Sequence, residues 1–199
     1  MLEPKDLNTD GIDPSGVDFY IHDIKILNDD DSIAVKPSSK GEVGVDGTTF
    51  DCTQNFLLEN MELTGFGASI GSVPPTDKNK CVDGITMRNV SMPGTGKGIY
   101  IKSNGNDCTG GKTSQLTNLL FEDFYIKDPF WYAIWIGPKQ QHEPNTDLGL
   151  DCALIYPLHD SQCPTQGCST FENITLRNIV IDNPKLSQGA IRMATGVIR

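Results

Sequence analysis

One six-residue pattern recurs five times along the chain: apolar, polar, Asn or Asp, apolar, any residue, apolar. It reads Ile21-His22-Asp23-Ile24-Lys25-Ile26, Leu58-Glu59-Asn60-Met61-Glu62-Leu63 and Met87-Arg88-Asn89-Val90-Ser91-Met92. The last two copies are Phe121-Glu122-Asp123-Phe124-Tyr125-Ile126 and Leu176-Arg177-Asn178-Ile179-Val180-Ile181. A further apolar residue lies two positions upstream of each copy: Phe19, Phe56, Ile85, Leu119 and Ile174. Alternation on both sides of one fixed polar residue predicts two short strands joined at a one-residue corner. Asn and Asp suit that corner because they tolerate the left-handed αL backbone.

A third alternating segment follows each corner: Ser32–Val35, Gly67–Ile70, Gly98–Ile101, Ala133–Ile136 and Ala190–Met193. Its outward position stacks from coil to coil as Ala34, Ser69, Tyr100, Trp135 and Arg192. Three short strands per turn with a corner Asn predict an all-β fold, a right-handed parallel β-helix of about five coils. No window shows a sustained helical i, i+3, i+4, i+7 face. A leucine-rich consensus is absent, and a jelly roll or sandwich does not fix Asn or Asp at one phase. Corners at residues 23, 60, 89, 123 and 178 are spaced by 37, 29, 34 and 55. The long last coil predicts a Cys/Pro-rich loop insertion, residues 139–169, within a single β-helix domain spanning residues 1–199.

The chain has 199 residues, with 16 Lys and Arg against 26 Asp and Glu and a formal charge of −10. No basic block offsets the acid, which argues against a nucleic-acid partner. No apolar run is long enough for a membrane span. Six cysteines, Cys52, Cys81, Cys108, Cys152, Cys163 and Cys168, show no C-x2-C zinc spacing. They read as disulfide candidates in an oxidising compartment, with pairing left open. Sequons at Asn89-Val90-Ser91 and Asn173-Ile174-Thr175 agree with an extracellular, secreted protein. Asn89 is a corner residue, so Asn173 is expected to be the freer glycan site. The opening Met1-Leu2-Glu3-Pro4-Lys5 carries no apolar leader.

Candidate chemistry gathers at one end. Asp10 and the run Asn28-Asp29-Asp30-Asp31 each precede an outward strand of the same face, one coil apart. Converging carboxylates disfavour simultaneous ionisation, so at least one pKa rises. One protonated and one ionised carboxyl is what glycoside hydrolysis needs. A solvated acidic turn or a calcium site would use the same residues. Tyr100 and Trp135, outward in adjacent coils, read either as a platform for sugar rings or as aromatics covering the sheet. His22, His142 and His159 form no metal or triad spacing. Gly94-Thr95-Gly96-Lys97-Gly98 resembles a P-loop tail but has Ser91 where the first Gly belongs, and Gly98 in place of Ser or Thr. No metal and no cofactor are expected.

These residues together resemble the polygalacturonases, glycoside hydrolase family 28. That family carries Asn-Thr-Asp, Asp-Asp, Gly-His-Gly and Arg-Ile-Lys in this order on a pectin lyase-like solenoid. Here they correspond to Asn8-Thr9-Asp10, Asp30-Asp31, Gly65-Phe66-Gly67-Ala68-Ser69-Ile70-Gly71-Ser72 and Tyr100-Ile101-Lys102. The resemblance implies that Asp30 is the general acid and that Asp10 and Asp31 activate water for inversion. It implies that Lys102 binds a uronate carboxylate. It also marks Phe66 and Tyr100 as substrate-side positions, with the family His replaced by Phe66 and the family Arg by Tyr100; Trp135 joins them as a substrate-binding candidate only through the outward platform. The cysteine that follows Asp-Asp in many members is Ser32, and its partner is also missing from Glu62-Leu63-Thr64. Members have several coils before Asn-Thr-Asp, so a longer protein or a neighbouring chain capping the solenoid ends is expected.

Three readings follow. The favoured one is a glycoside hydrolase acting on a pectic or related polysaccharide, uronic-acid-containing or modified. The second is a non-catalytic β-helix serving as an extracellular structural or glycan-binding block. The third is a calcium-dependent lyase, which would need a basic residue beside the acids.

Overall fold

The computed structural model describes residues 9–103, 109–139 and 168–192. Twelve strands lie among the described residues: β1 (Tyr20–Ile26), β2 (Ile33–Val35), β3 (Glu42–Val43), β4 (Thr49–Phe50), β5 (Thr53–Leu63), β6 (Ala68–Ile70), β7 (Lys80–Pro93), β8 (Ile99–Ser103), β9 (Ser114–Lys127), β10 (Tyr132–Pro138), β11 (Ser169–Asp182) and β12 (Ser187–Ile191). The long strands form one parallel sheet in the order β1-β5-β7-β9-β11. The short ones form a second parallel sheet in the order β12-β10-β8-β6-β2. A small antiparallel hairpin, β3-β4, interrupts the first turn. This is a parallel β-helix.

The predicted corners bend the chain without breaking the ladder. Asp23, Asn60, Asn89, Asp123 and Asn178 all have positive φ, between 53° and 58°. They fall in one register row, so the two predicted short strands are halves of one long strand. Their side chains hydrogen-bond along the stack: Asn89 Nδ2 donates to Asn60 Oδ1 at 2.7 Å, and Asn178 donates to Asp123 at 2.5 Å. A second row, Asp18, Asn55, Gly84, Asn118 and Asn173, also lies at positive φ. Sequence patterning overlooked it. Asn173 belongs to it and donates to Asn118 Oδ1 at 2.7 Å. The two sequon side chains therefore stand alike: each is exposed and each is a rung of a corner ladder.

Between the corners, inward residues repeat. Phe56, Ile85 and Leu119 stack in register, as do Leu58, Met87 and Phe121. The second sheet supplies Ile33, Ala68 and Ile99, then Val35, Ile70 and Ile101. All are nearly or fully buried in one continuous core. Burying each large apolar side chain contributes about 1.5–3 kcal/mol.

The outward column departs from expectation in two ways. Trp135 pairs with Ala190, not Arg192, a slip of two residues that keeps the same facing because strand side chains alternate with period two. The column is also not a surface strip. Ala34, Ser69, Tyr100 and Trp135 are fully buried. Tyr100 and Trp135 pack with Phe66 and Tyr132 in a second, smaller cluster outside the sheet. The Trp135 indole donates to the Pro138 carbonyl at 2.9 Å.

A disulfide joins Cys52 to Cys81 across adjacent coils, and Cys168 is disulfide-bonded as well. Cys108, Cys152, Cys163 and most of the 139–169 insertion lie outside the described residues.

Candidate active site

The acidic loop before β2 is shaped by side-chain amides and one obligatory glycine. Asn28 Nδ2 donates to the carbonyls of Thr9, Asp30 and Asp31 at 2.8–3.0 Å. The Phe66 amide donates to the Asp30 carbonyl at 2.8 Å. That approach requires Gly65, whose φ is +54° and whose added Cβ would lie 2.0 Å from the Asp30 carbonyl oxygen. Ser32 and the stretch Glu62-Leu63-Thr64 lie where the family resemblance implies a disulfide. They are joined instead by the Ser32 hydroxyl, 2.8 Å from the Thr64 carbonyl.

Residues 10–12 run alongside this loop in the neighbouring coil. Ile12 bridges Ile33 in parallel, and the Gly11 amide donates to the Asp31 carbonyl at 2.9 Å. Counting back from that bridge puts Asp10 level with Asp31. The structure thus brings together the three carboxyls read from sequence, but in different surroundings. Asp30 and Asp31 are 6% and 2% exposed. The Asp10 side chain is 25% exposed and borders a shallow groove with Thr9, Gly11 and Leu27. Desolvation, then the charges of Asp30, Asp31 and Asp13, push the Asp10 carboxyl up to about 6. Lys36, 3.7 Å away, opposes the shift.

Asp31 accepts at both carboxylate oxygens. The Ser69 hydroxyl donates to Oδ1 at 2.7 Å. Lys102 Nζ forms a buried ion pair with Oδ2. The Asp31 amide donates to Asp30 Oδ1 at 2.8 Å. Lys102, read from sequence as a uronate ligand, is thus engaged by Asp31 and also lies 4.4 Å over the Tyr100 ring.

Two residues of this neighbourhood were not singled out for any role. Ser69 was noticed only as a member of the outward column and of a motif. Lys97 lay in the rejected P-loop decoy, and a buried lysine leaves no mark in an alternation pattern. Register places Asp31, Phe66 and Lys97, each two positions before its second-sheet strand, in one row with Tyr132, the first residue of β10. The Gly96 amide to Gly65 carbonyl and Trp131 amide to Gly96 carbonyl bonds, at 2.6 and 3.0 Å, continue the ladder there. Lys97 is fully buried. Phe66 stacks on Trp131 with centroids 4.9 Å apart, and Phe66 is 4% exposed. Phe130, half exposed, is the open ring next to the acidic loop, bordering a groove with Asn28, Asp29 and Thr64.

A protein named "Probable rhamnogalacturonase B" from Aspergillus oryzae is 32% identical over 116 residues, 58% of this chain and 18% of that protein. "Exopolygalacturonase clone GBGA483" from Arabidopsis thaliana is 32% identical over 124 residues, 60% of this chain and 23% of that one. The matches thus span about a fifth of these relatives' lengths. The crystal structure of endo-xylogalacturonan hydrolase from Aspergillus tubingensis superposes with a TM-score of 0.54 at 18% identity. It covers 90% of this chain and 49% of that chain, a likeness of fold. The glycosyl hydrolases family 28 description matches residues 2–149, most of the chain, and the protein belongs to that family.

Proposed function

We propose that this chain carries the acid face of an inverting glycoside hydrolase that cleaves a pectin-type polysaccharide. The supporting observation is that three carboxyls from two adjacent coils meet at the head of the second sheet, each in a different environment. In this reading Asp30 protonates the leaving glycosidic oxygen. A water attacks the anomeric carbon from the opposite side as Asp10 takes its proton. A base is most effective when its pKa lies near the working pH, and Asp10 is pushed towards that range. Asp31, fixed by Ser69 and Lys102, orients the water and keeps negative charge beside the forming oxocarbenium. Release of the new reducing end leaves Asp30 ionised and Asp10 protonated, and solvent restores both.

The names of the relatives and of the structural neighbour span rhamnogalacturonan, polygalacturonate and xylogalacturonan. The rings at the positions of the family His and Arg agree with a neutral or modified sugar at one subsite, because Phe66 and Tyr100 offer no bidentate clamp for a uronate. Weak or no activity on plain polygalacturonate is therefore expected. The Cys52–Cys81 disulfide and the two sequons support secretion. A non-catalytic, glycan-binding β-helix is the second reading, favoured by the burial of Phe66 and Tyr100 beside the acids.

The deciding assay is reducing-end release from rhamnogalacturonan, xylogalacturonan and polygalacturonate, with product anomers followed by NMR. The native protein should release ends of inverted configuration, and Asp30→Asn should lose at least ~100-fold of that rate. A native protein indistinguishable from Asp30→Asn on every substrate rejects the hydrolase reading for those substrates and leaves the second.

A further inference from the structure

Lys97 has no part in the scheme above, yet burying its amine without a hydrogen bond is costly. Its Nζ is fully buried and has no hydrogen-bond partner among the described residues. In place of hydrogen bonds it has three ring faces: Tyr100 at 4.2 Å, Phe66 at 4.8 Å and Trp131 at 5.2 Å from the centroids. Ring faces attract a cation, most strongly where water is excluded. A methionine would fill the same space with no amine to desolvate. The amine also lies within the field of the acid loop: Asp31 and Asp30 favour its proton and Lys102 opposes it. Such coupling is reciprocal, so a proton on Lys97 changes the affinity of Asp30 for its own.

We infer that Lys97 is a positioning residue of the acid site, a ring-held amine that sets the protonation of Asp30 through space without touching substrate. The side chains facing it from each neighbouring element are Asp30 and Asp31 before β2, Phe66 before β6, Tyr100 and Lys102 on β8, and Trp131 before β10. Among them Asp30, Asp31, Lys102 and the Tyr100 phenol can change charge, and so can the buried phenol of Tyr132, the register neighbour of Lys97 at the start of β10. Burial, aided by Lys102, brings the amine down to about 7, so its charge is lost in the neutral range. Below that pH, the Lys97 charge favours the ionised form of Asp30 and so loosens the Asp30 proton. As the Lys97 charge leaves, Asp30 holds its proton more tightly. The protonated general acid thereby persists to higher pH than a fixed charge set would allow. The rings at the family His and Arg positions then have a use, since both line the cage of this amine.

The inference rests on the hydrolase reading only for its kinetic readout, so the test begins without activity. In protein carrying 13C at lysine Cε and at aspartate carboxyls, NMR titration should show Lys97 changing charge near pH 7 and Asp30 sensing that step. Lys97→Met should raise the Asp30 midpoint by about 0.5–1 unit and abolish the inflection near neutrality. Lys97→Arg, permanently charged, should lower the midpoint and abolish the inflection too. If the arginine does not fit, the native titration and Lys97→Met decide alone. A Lys97 resonance that titrates above pH 10, or an Asp30 curve unchanged in Lys97→Met, overturns the inference. Where reducing ends are released, the alkaline limb of kcat/KM should move to lower pH in Lys97→Arg while KM at the optimum stays within twofold. Failure of the hydrolase reading would show as no release by any variant with the NMR coupling intact.

Discussion

The two faces of the second sheet are both dry, for opposite reasons. Along β8, Ile99 and Ile101 point into the solenoid, while Tyr100 and Lys102 point out, and none is more than 3% exposed. The inner face is dry because the same kind of residue recurs at the same register in every coil: Ile33, Ala68, Ile99, then Val35, Ile70, Ile101. The outer face is dry because each coil contributes something different: Asp31, Ser69, Lys102 and a set of rings. Repetition makes the core tolerant, since one layer resembles the next. Individuality makes the outer face fragile, because each partner has no substitute.

The sharpest way to break that comparison is to remove adjacent residues of β8 one at a time. Lys102→Met should cost about 3–5 kcal/mol, because it leaves Asp31 buried without its counter-ion. Ile101→Ala should cost about 2–5 kcal/mol by opening a cavity. The two differ in how they are rescued. Adding Asp31→Asn to Lys102→Met should recover much of the loss in urea unfolding, and should do nothing for Ile101→Ala. Equal behaviour of the two double variants would mean that the outer face is held by packing alone.

A smaller effect is expected at the corners. Asn60→Ala should cost about 1 kcal/mol, because alanine resists positive φ and a ladder rung is lost. Asn60→Gly should cost less, since glycine accepts the backbone. If glycine proves the worse of the two, the side-chain ladder and not the αL bend stabilises the corner.

The smallest effect concerns Asp10. Its folded pKa of about 6 lies above the model-peptide value of 3.8, so the folded state binds more proton between those limits. Stability contributed by this group is therefore present below pH 4 and declines as pH rises through 6. Asp10→Asn should match the native protein near pH 4 and exceed it near pH 7, by less than about 1 kcal/mol because solvent reaches this carboxyl. Urea midpoints at the two pH values check the sign, and a variant less stable at pH 7 would contradict it.

The fold was legible because solenoid cores write themselves into the sequence: Asp23, Asn60, Asn89, Asp123 and Asn178 keep one phase between alternating apolar residues. The other corner row was harder to see because Gly84 interrupts it and each member stands directly before an apolar residue already used in the pattern. The register of the last coil was misread by two residues because Ala190 and Arg192 occupy equivalent outward phases, and only the ladder decides between them. The acids could be found because they cluster in sequence and resemble a family motif. Burial of the outward column could not, because alternation tells which way a side chain points and not what lies on top of it. Ser69 acquires its role from Asp31 on another coil, and Lys97 from rings spread over three coils, Phe66, Tyr100 and Trp131.

The Lys102–Asp31 pair has one more consequence. In a solenoid each coil normally contacts only the coils beside it, and melting can then proceed layer by layer from an end. Asp31 precedes β2, whereas Lys102 lies on β8, and β6 runs between them. Their bond reaches over a whole coil, and Ser69 ties the intervening one to the same carboxylate. Three successive turns are therefore clamped at a single point, so none of them can fray without releasing the other two. The stretch that carries the acids should behave as one all-or-none block inside an otherwise zipper-like molecule.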